Sequence, residues 1–80
     1  MITVLRAQGF QFAIYLADHE PPHVHVYGGG GRARIALGDG SNGPPLMNAS
    51  SMKRSDIRKA LRLVLDNQEK LLKIWSEIHG

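Results

Sequence analysis

The sequence predicts an α+β fold in the order ββββα, with a four-stranded antiparallel meander covered on one face by a single long C-terminal helix. Two observations support this prediction. Short segments of alternating polarity, separated by turn residues, fill the first half of the chain, and apolar residues at helical spacing fill the end. The 80 residues are enough for one small domain, which we expect to span 1–80.

Four segments alternate with the period of a β-strand, and we place them at about 1–6, 10–17, 23–28 and 32–37. The second segment is the clearest. Its larger apolar side chains define one face that we expect to be buried, formed by Phe10, Phe12, Ile14 and Leu16. Glycine-containing turns separate the first strand from the second and the third from the fourth, so neighbouring strands should pair antiparallel.

The C-terminal part of the chain predicts one helix at about 56–79, capped by Ser55 and followed by Gly80. Its apolar residues recur at helical spacing and are Ile57, Leu61, Val64, Leu65, Leu71, Leu72, Trp75 and Ile78. Glycine, proline and small polar residues dominate the start of the segment before the helix, at about 38–54. We expect a mobile loop there, with room for a short edge strand near 46–47.

Composition limits the classes of protein to consider. Ten basic and seven acidic side chains give a formal net charge of +3, which permits RNA, DNA or an acidic protein as partner without requiring one. No apolar run approaches the ~20 residues of a membrane-spanning helix, and there are no cysteines for disulfides. We therefore expect a cytoplasmic protein without a membrane partner, and its small size is compatible with a homodimer.

The segment DHEPPHVHV at 18–26 holds three of the four histidines. Its two prolines favour an extended backbone without N–H donors, so a strand can begin only at His23. Alternation along this strand then predicts that the side chains of His23 and His25 point away from the core. Those of Val24 and Val26 should point towards it. The two histidines would be roughly 7 Å apart at Cα, close enough to share a metal ion or a phosphate.

The sheet face that the helix leaves uncovered collects polar and aromatic side chains. By strand parity they are Gln11, Tyr15, His23, His25, Tyr27, Arg32 and Arg34. Rings that stack on bases and guanidinium groups that hold phosphates occur together on sheet surfaces that bind RNA. We therefore assign a binding role to Tyr15, His19, Tyr27, Arg32 and Arg34, and to Arg58 and Arg62 in the basic half of the helix. A polar dimer interface is the alternative.

Three interpretations of His23 and His25 stay open from the residues alone. They are surface residues packed beside tyrosines, or they are ligands of a divalent metal ion completed by Asp18, with His19 and Glu20 as other donors. In the third, one of the two histidines is the general base of a nuclease or phosphodiesterase, with or without a metal. Whether the protein is an enzyme is therefore left undecided.

The same segment and the C-terminal helix resemble a small bacterial family, domain of unknown function 4160. The family's D-H-x-P-P-H-V-H-V segment is present at 18–26, and the helix start at 56–61 and the late Trp75 also match. Family members are often encoded beside a second small protein, in an arrangement similar to toxin–antitoxin operons. The resemblance implies a toxin–antitoxin-like module component that binds nucleic acid or a cognate small protein, and it implies no settled enzymatic activity.

Overall fold

The protein forms a five-stranded antiparallel sheet followed by two helices, in a computed structural model that describes residues 1–38 and 46–80. The elements are β1 (Ile2–Ala7), β2 (Phe10–Ile14), β3 (His23–Gly28), β4 (Gly31–Ala36), β5 (Leu46–Ser50), α1 (Arg54–Asp66) and α2 (Gln68–His79). Strands adjacent in the sequence are adjacent in the sheet, so the topology is a meander. The α+β class and the antiparallel meander are confirmed, but the prediction of four strands and one helix is wrong.

The additional strand is β5, within the segment 38–54 for which we predicted a mobile loop. It pairs antiparallel with β4, with Ala33 opposite Ala49 and Arg34 opposite Asn48. All five side chains of β5 are exposed, since it is an edge strand. Such a strand needs no apolar alternation, which explains why the sequence pattern marks it so weakly. Residues 39–45 of the predicted loop lie outside the described residues.

The predicted single helix is divided at Asn67, whose backbone angles are φ −116° and ψ 15°. The side-chain Nδ2 of Asn67 donates a hydrogen bond to the carbonyl of Leu63 at 2.8 Å. The Asn67 N–H is shared between the carbonyls of Leu63 and Val64, at 3.2 Å each. Side-chain amides that bond the backbone in this way compete with regular helical hydrogen bonding, so α1 ends here and α2 begins at the next residue.

Two details of the helix prediction are also wrong. α1 begins at Arg54 rather than after Ser55, and its N-cap, Lys53, makes no side-chain capping hydrogen bond. Leu65, expected in the apolar stripe, is 44% exposed, whereas Leu63 is buried. Neither helix is long and apolar enough to cross a membrane.

The core lies between the helices and one face of the sheet. Its fully buried large side chains are Phe12, Ile14, Val24, Val26, Ile35, Leu37, Val64 and Leu71. The strand residues among them alternate as the sequence indicates. Leu16 departs from the prediction, because β2 ends at Ile14 and leaves Leu16 73% exposed.

Candidate metal centre and adjoining groove

The connection between β2 and β3 brings a carboxylate to the first residues of β3. The N–H of Tyr15 donates to Oδ2 of Asp18 at 2.9 Å, and the N–H of Asp18 donates to the carbonyl of Tyr15 at 3.1 Å. This pair of hydrogen bonds closes a tight turn of the kind that Asp side chains favour. The turn ends β2 before Leu16, and it holds the Asp18 carboxylate against β3.

Asp18, His23 and His25 form a compact group, which we call the histidine–aspartate cluster. Oδ1 of Asp18 lies 3.1 Å from Nε2 of His25 and 3.5 Å from Nε2 of His23. One potential metal-binding atom from each of the three residues lies within 4.8 Å of the other two. In residues 1–38 and 46–80 no other set of three histidines or acids is this close.

His23 is oriented by the ring nitrogen that points away from the cluster. Its Nδ1 donates a hydrogen bond to the carbonyl of Pro21 at 2.9 Å, because a carbonyl oxygen can only accept. Nε2 is therefore the atom that faces Asp18. Among the described residues Nε2 has no hydrogen-bond partner, although the side chain is only 5% exposed. A buried polar atom of this kind requires an explanation, and a cation between Nε2 and the carboxylate would provide one.

The expectation that both histidines face away from the core towards solvent is wrong for His23. Its ring lies between those of His25 and Trp75, with centroid distances of 5.1 and 5.4 Å. Trp75 belongs to α2, packs against His79 at 4.0 Å, and donates from Nε1 to Oε1 of Glu20 at 3.5 Å. The C-terminal part of α2 therefore shields His23 from water.

The environment of Asp18 favours its ionised form. Burial by itself raises the pKa of this carboxyl, but several interactions act in the opposite direction. Hydrogen bonds from the Tyr15 N–H and from His25, together with the charges that His25 and His23 can carry, lower the Asp18 pKa below its ordinary value. Asp18 is thus a carboxylate at neutral pH, suited to accept hydrogen bonds or to bind a cation.

Two tyrosines close one side of the cluster. The ring of Tyr15 meets that of His25 edge-on, with centroids 4.5 Å apart and an interplanar angle of 89°. The hydroxyl of Tyr15 is hydrogen-bonded to the hydroxyl of Tyr27. This hydrogen bond, aided by burial, raises the pKa of Tyr27 to about 12. Tyr27 is therefore a neutral hydroxyl at physiological pH.

A groove of about 520 Å³ extends from the cluster over β3, β4 and β5, on the sheet face opposite the core, which we call the outer face. Its lining includes His25, Tyr27, Arg32, Arg34, Asn48 and Ser50. These residues are cross-strand neighbours, with His25 opposite Arg34 and Tyr27 opposite Arg32. His25 belongs to both the groove and the cluster, so the two features adjoin.

Both arginines of the groove are exposed. In the part of the chain that the structure describes, neither Arg32 nor Arg34 forms a salt bridge with a carboxylate. The amide oxygen of Asn48, in the orientation that satisfies both groups, accepts hydrogen bonds from Nε and Nη2 of Arg34 at 3.0 and 2.7 Å. Asn48 thus fixes the guanidinium without neutralising it, and the groove retains positive charge.

The remaining predicted binding residues lie apart from the cluster and the groove. His19 is an exposed residue of the β2–β3 connection. Arg58 and Arg62 are exposed on α1, where they line a different depression together with Gln8. Arg62 is also paired with Asp66, with Nε 3.2 Å from Oδ1. Strand parity correctly predicted that Tyr27, Arg32 and Arg34 share the outer face. The basic helix residues Arg58 and Arg62 lie on another surface.

Sequence reasoning missed three contributors to this region. Asn48 was missed because β5 has almost no strand signature, and the Pro21 carbonyl is a backbone group that any residue would supply. Trp75 was expected as one of the apolar residues of the helix, and it is indeed buried in the core. Its contact with His23, however, has no local signal in the sequence.

Comparison with known proteins identifies the family of this chain. The family model described as a domain of unknown function (DUF4160) matches residues 9–76. No curated protein and no solved structure gave a significant match. The family match includes the histidine–aspartate cluster, the groove and most of both helices. Because it spans well over half of the chain, the protein belongs to the DUF4160 family, as the segment 18–26 had indicated.

Proposed function

We propose that the protein binds single-stranded RNA in the groove of its outer face. The observation that carries this proposal is the pair of exposed guanidinium groups, Arg32 and Arg34, in one groove with the ring of Tyr27. Side chains at alternate positions of a strand project from the same face, about 7 Å apart. Grooves that bind single strands combine such positive charge with aromatic rings on which bases stack.

The chemistry of the groove favours RNA over the alternative partners. A protein partner would be expected to meet an apolar centre, whereas this groove is lined mainly by charged and polar side chains. Asn48 and Ser50 can exchange hydrogen bonds with a ribose 2′-hydroxyl, which DNA lacks. The toxin–antitoxin-like role and the cognate protein implied by the family resemblance stay predictions, as do the homodimer and the cytoplasmic location expected from the composition.

The proposal is tested by fluorescence anisotropy with a short labelled RNA over a range of salt concentrations. The Arg32→Gln/Arg34→Gln variant should bind more weakly, with the slope of log K against log[salt] reduced by about 1.4, since each phosphate contact on a single strand contributes about 0.7. The matched control is Arg58→Gln/Arg62→Gln, which removes the same charge from α1. Equal effects of the two variants, or no salt-dependent binding by the unaltered protein, would contradict the proposal.

A second candidate function is hydrolysis of a phosphodiester, and the hydrogen bond between His25 and Asp18 favours it. An imidazole oriented by a carboxylate is a common arrangement for a general base. His25 is better placed than His23 for this role because His25 lines the groove whereas His23 is buried. His25→Gln should then abolish RNA cleavage, whereas RNA binding in the anisotropy assay should weaken only partly, because both arginines of the groove stay in place. Absence of cleavage by the unaltered protein, with and without divalent metals, would exclude this candidate.

A further inference from the structure

We infer that the histidine–aspartate cluster binds one divalent transition-metal ion such as Zn²⁺. The ligands would be Nε2 of His23, Nε2 of His25 and the carboxylate of Asp18. This inference goes beyond RNA binding and does not depend on it. Two imidazoles and one carboxylate form a donor set that suits zinc and neighbouring transition metals, whereas calcium and magnesium prefer oxygen ligands.

The first support is the state of His23. Its Nδ1 donates to the Pro21 carbonyl at 2.9 Å, and metal-binding histidines typically donate their second ring nitrogen to a carbonyl or carboxylate in this manner. The hydrogen bond leaves the lone pair of Nε2 in the cluster. That atom is buried and has no hydrogen-bond partner among the described residues. Burial of an acceptor beside a carboxylate is unfavourable unless a cation lies between them.

The second support is the spacing of the donor atoms. With metal–ligand bonds of about 2.0–2.1 Å, adjacent ligands of a tetrahedral ion lie roughly 3.3–3.4 Å apart. The two distances from Asp18 Oδ1 to the imidazole Nε2 atoms are 3.1 and 3.5 Å. The donor atoms of all three residues lie within 4.8 Å of one another, so the two imidazoles must approach each other by up to about 1.4 Å to reach the spacing of a tetrahedral ion. Three protein ligands leave a fourth position for water or a substrate group.

The third support is the rigidity of the ligands. The Tyr15 N–H holds the other carboxylate oxygen at 2.9 Å, and the ring of Tyr15 packs against His25. Trp75 packs against His23, with ring centroids 5.4 Å apart. Ligands held in place in this way lose little conformational entropy when a metal binds.

The principal test uses the full chain and ZnCl₂ alone, with nitrogen-15 NMR signals of the four histidine rings as the readout. Zinc should shift the Nε2 signals of His23 and His25 and leave those of His19 and His79 in place. Calorimetry should give one zinc ion per chain, with a dissociation constant of about 1 µM or tighter. Unshifted signals of His23 and His25 would overturn the inference and leave a proton as the cation that bridges Nε2 and Asp18. Equal shifts of all four histidines would also overturn it, since they indicate nonspecific binding.

Substitutions provide an independent readout. Asp18→Asn and His25→Gln preserve approximate shape and should weaken zinc binding by at least about 100-fold, because substitutions in the outer shell alone cost 10–100-fold. The matched control, His19→Gln, changes an exposed histidine outside the cluster and should bind zinc as the unaltered chain does. Circular dichroism of each metal-free variant establishes that it is folded. A folded Asp18→Asn variant with unchanged zinc affinity would refute the assignment of ligands.

The metal inference and the RNA proposal fail separately. RNA anisotropy measured in EDTA reports the groove without metal, and zinc calorimetry without RNA reports the cluster alone. Loss of RNA binding in Arg32→Gln/Arg34→Gln with normal zinc affinity supports both. Normal RNA binding by a chain that binds no zinc would contradict the metal inference and leave the RNA proposal intact.

Discussion

At the scale of single residues, the two nitrogens of His23 have different roles. Nδ1 donates to the Pro21 carbonyl, whereas Nε2 faces Asp18 and has no hydrogen-bond partner among the described residues. His25 is arranged differently, because its Nε2 lies within hydrogen-bond distance of both Asp18 oxygens. Identical side chains two positions apart on one strand thus occupy different chemical environments, although Nε2 of each one faces Asp18.

The tyrosine pair permits a direct test at this scale. Tyr15→Phe removes the hydroxyl that hydrogen-bonds Tyr27, so the pKa of Tyr27 should fall from about 12 towards its ordinary value of 10. The chain has two tyrosines, and the variant therefore retains one, whose ionisation can be followed alone by ultraviolet absorbance. A pKa that stays near 12 in the variant would assign the shift to burial instead of the hydrogen bond.

The same shift determines the sign of a stability effect at high pH. The pKa of Tyr27 is higher in the folded chain than in the unfolded chain, where it is close to 10. The unfolded state loses its proton first, so the stabilisation is complete below pH 10 and is lost as the pH rises towards 12. Urea unfolding between these pH values should show a smaller decrease in Tyr15→Phe than in the unaltered protein.

At the scale of elements, the β3–β4 hairpin depends on adjacent glycines for different reasons. Gly29 and Gly30 have φ values of 58° and 78°, as a two-residue turn with positive φ at both positions requires. Gly31 begins β4, and a Cβ there would collide with the backbone of Ser51 and lie 2.7 Å from Cα of Met52. The segment that follows β5 therefore crosses close to the start of β4.

This close approach predicts unequal costs for two alanine substitutions. Gly31→Ala should lower the free energy of unfolding by about 2–3 kcal/mol, because the backbone near Ser51 must move. Gly30→Ala should cost only about 1 kcal/mol, for its positive φ, since no atom of residues 1–38 and 46–80 lies within 4 Å of the added Cβ. Urea midpoints of the two variants give the comparison. Equal costs would contradict this prediction, because they would show that the backbone near Ser51 can move to accommodate the added Cβ with little loss of stability.

The start of α2 is tied to the sheet by a buried polar side chain. Gln68 is 8% exposed, and its Nε2 donates a hydrogen bond to the carbonyl of Leu37. The N–H of Leu37 in turn donates to the carbonyl of Pro22 at 2.8 Å. These hydrogen bonds connect α2 through the end of β4 to the proline corner that precedes His23.

Removal of this tie should be costly. Gln68→Met keeps the approximate size but leaves the Leu37 carbonyl without this donor, which should lower the free energy of unfolding by about 1–3 kcal/mol. Gln11→Met is the matched control, because Gln11 makes an exposed hydrogen bond to Thr3 at 2.8 Å and should change stability by about 0.5 kcal/mol or less. Chemical denaturation of both variants measures the difference, and equal losses would refute a special role for Gln68.

At the scale of the whole molecule, a helix from the end of the chain covers a cluster whose three members come from one short segment, 18–25. The β2–β3 connection supplies Asp18, β3 supplies both histidines, and α2 covers His23 through Trp75. An unfolded chain cannot maintain this arrangement. A metal that binds here therefore binds the folded state preferentially and stabilises all of it.

Thermal unfolding tests this linkage. Zinc at about 100 times its dissociation constant should stabilise the unaltered protein by about 2.7 kcal/mol and raise its Tm. The Asp18→Asn variant, compared with itself in EDTA, should show little increase. An equal increase in both proteins would show that zinc acts elsewhere on the chain.

The sequence predicted well wherever one residue's environment follows from its neighbours along the chain. Alternation along β2, β3 and β4 identified the core face, and the same parity grouped His25, Tyr27, Arg32 and Arg34 on the outer face. The Gly28–Gly31 hairpin and the 18–26 segment that resembles the DUF4160 family were likewise local signals. The assignments of residues to the two sheet faces hold because side chains alternate between the faces of a strand with a period of two residues.

Only the tertiary structure decided the features that depend on distant contacts. Trp75 buries His23, Asn48 orients Arg34, and the pairing of β5 with β4 forms the wall of the groove. Two other departures from the prediction are local in origin, because hydrogen bonds between Tyr15 and Asp18 and between Asn67 and Leu63 end β2 before Leu16 and divide the helix against its apolar pattern. The sequence by itself therefore determined which residues share a face. Packing and hydrogen bonding between separate segments determined which of them are buried, paired and close enough to act together.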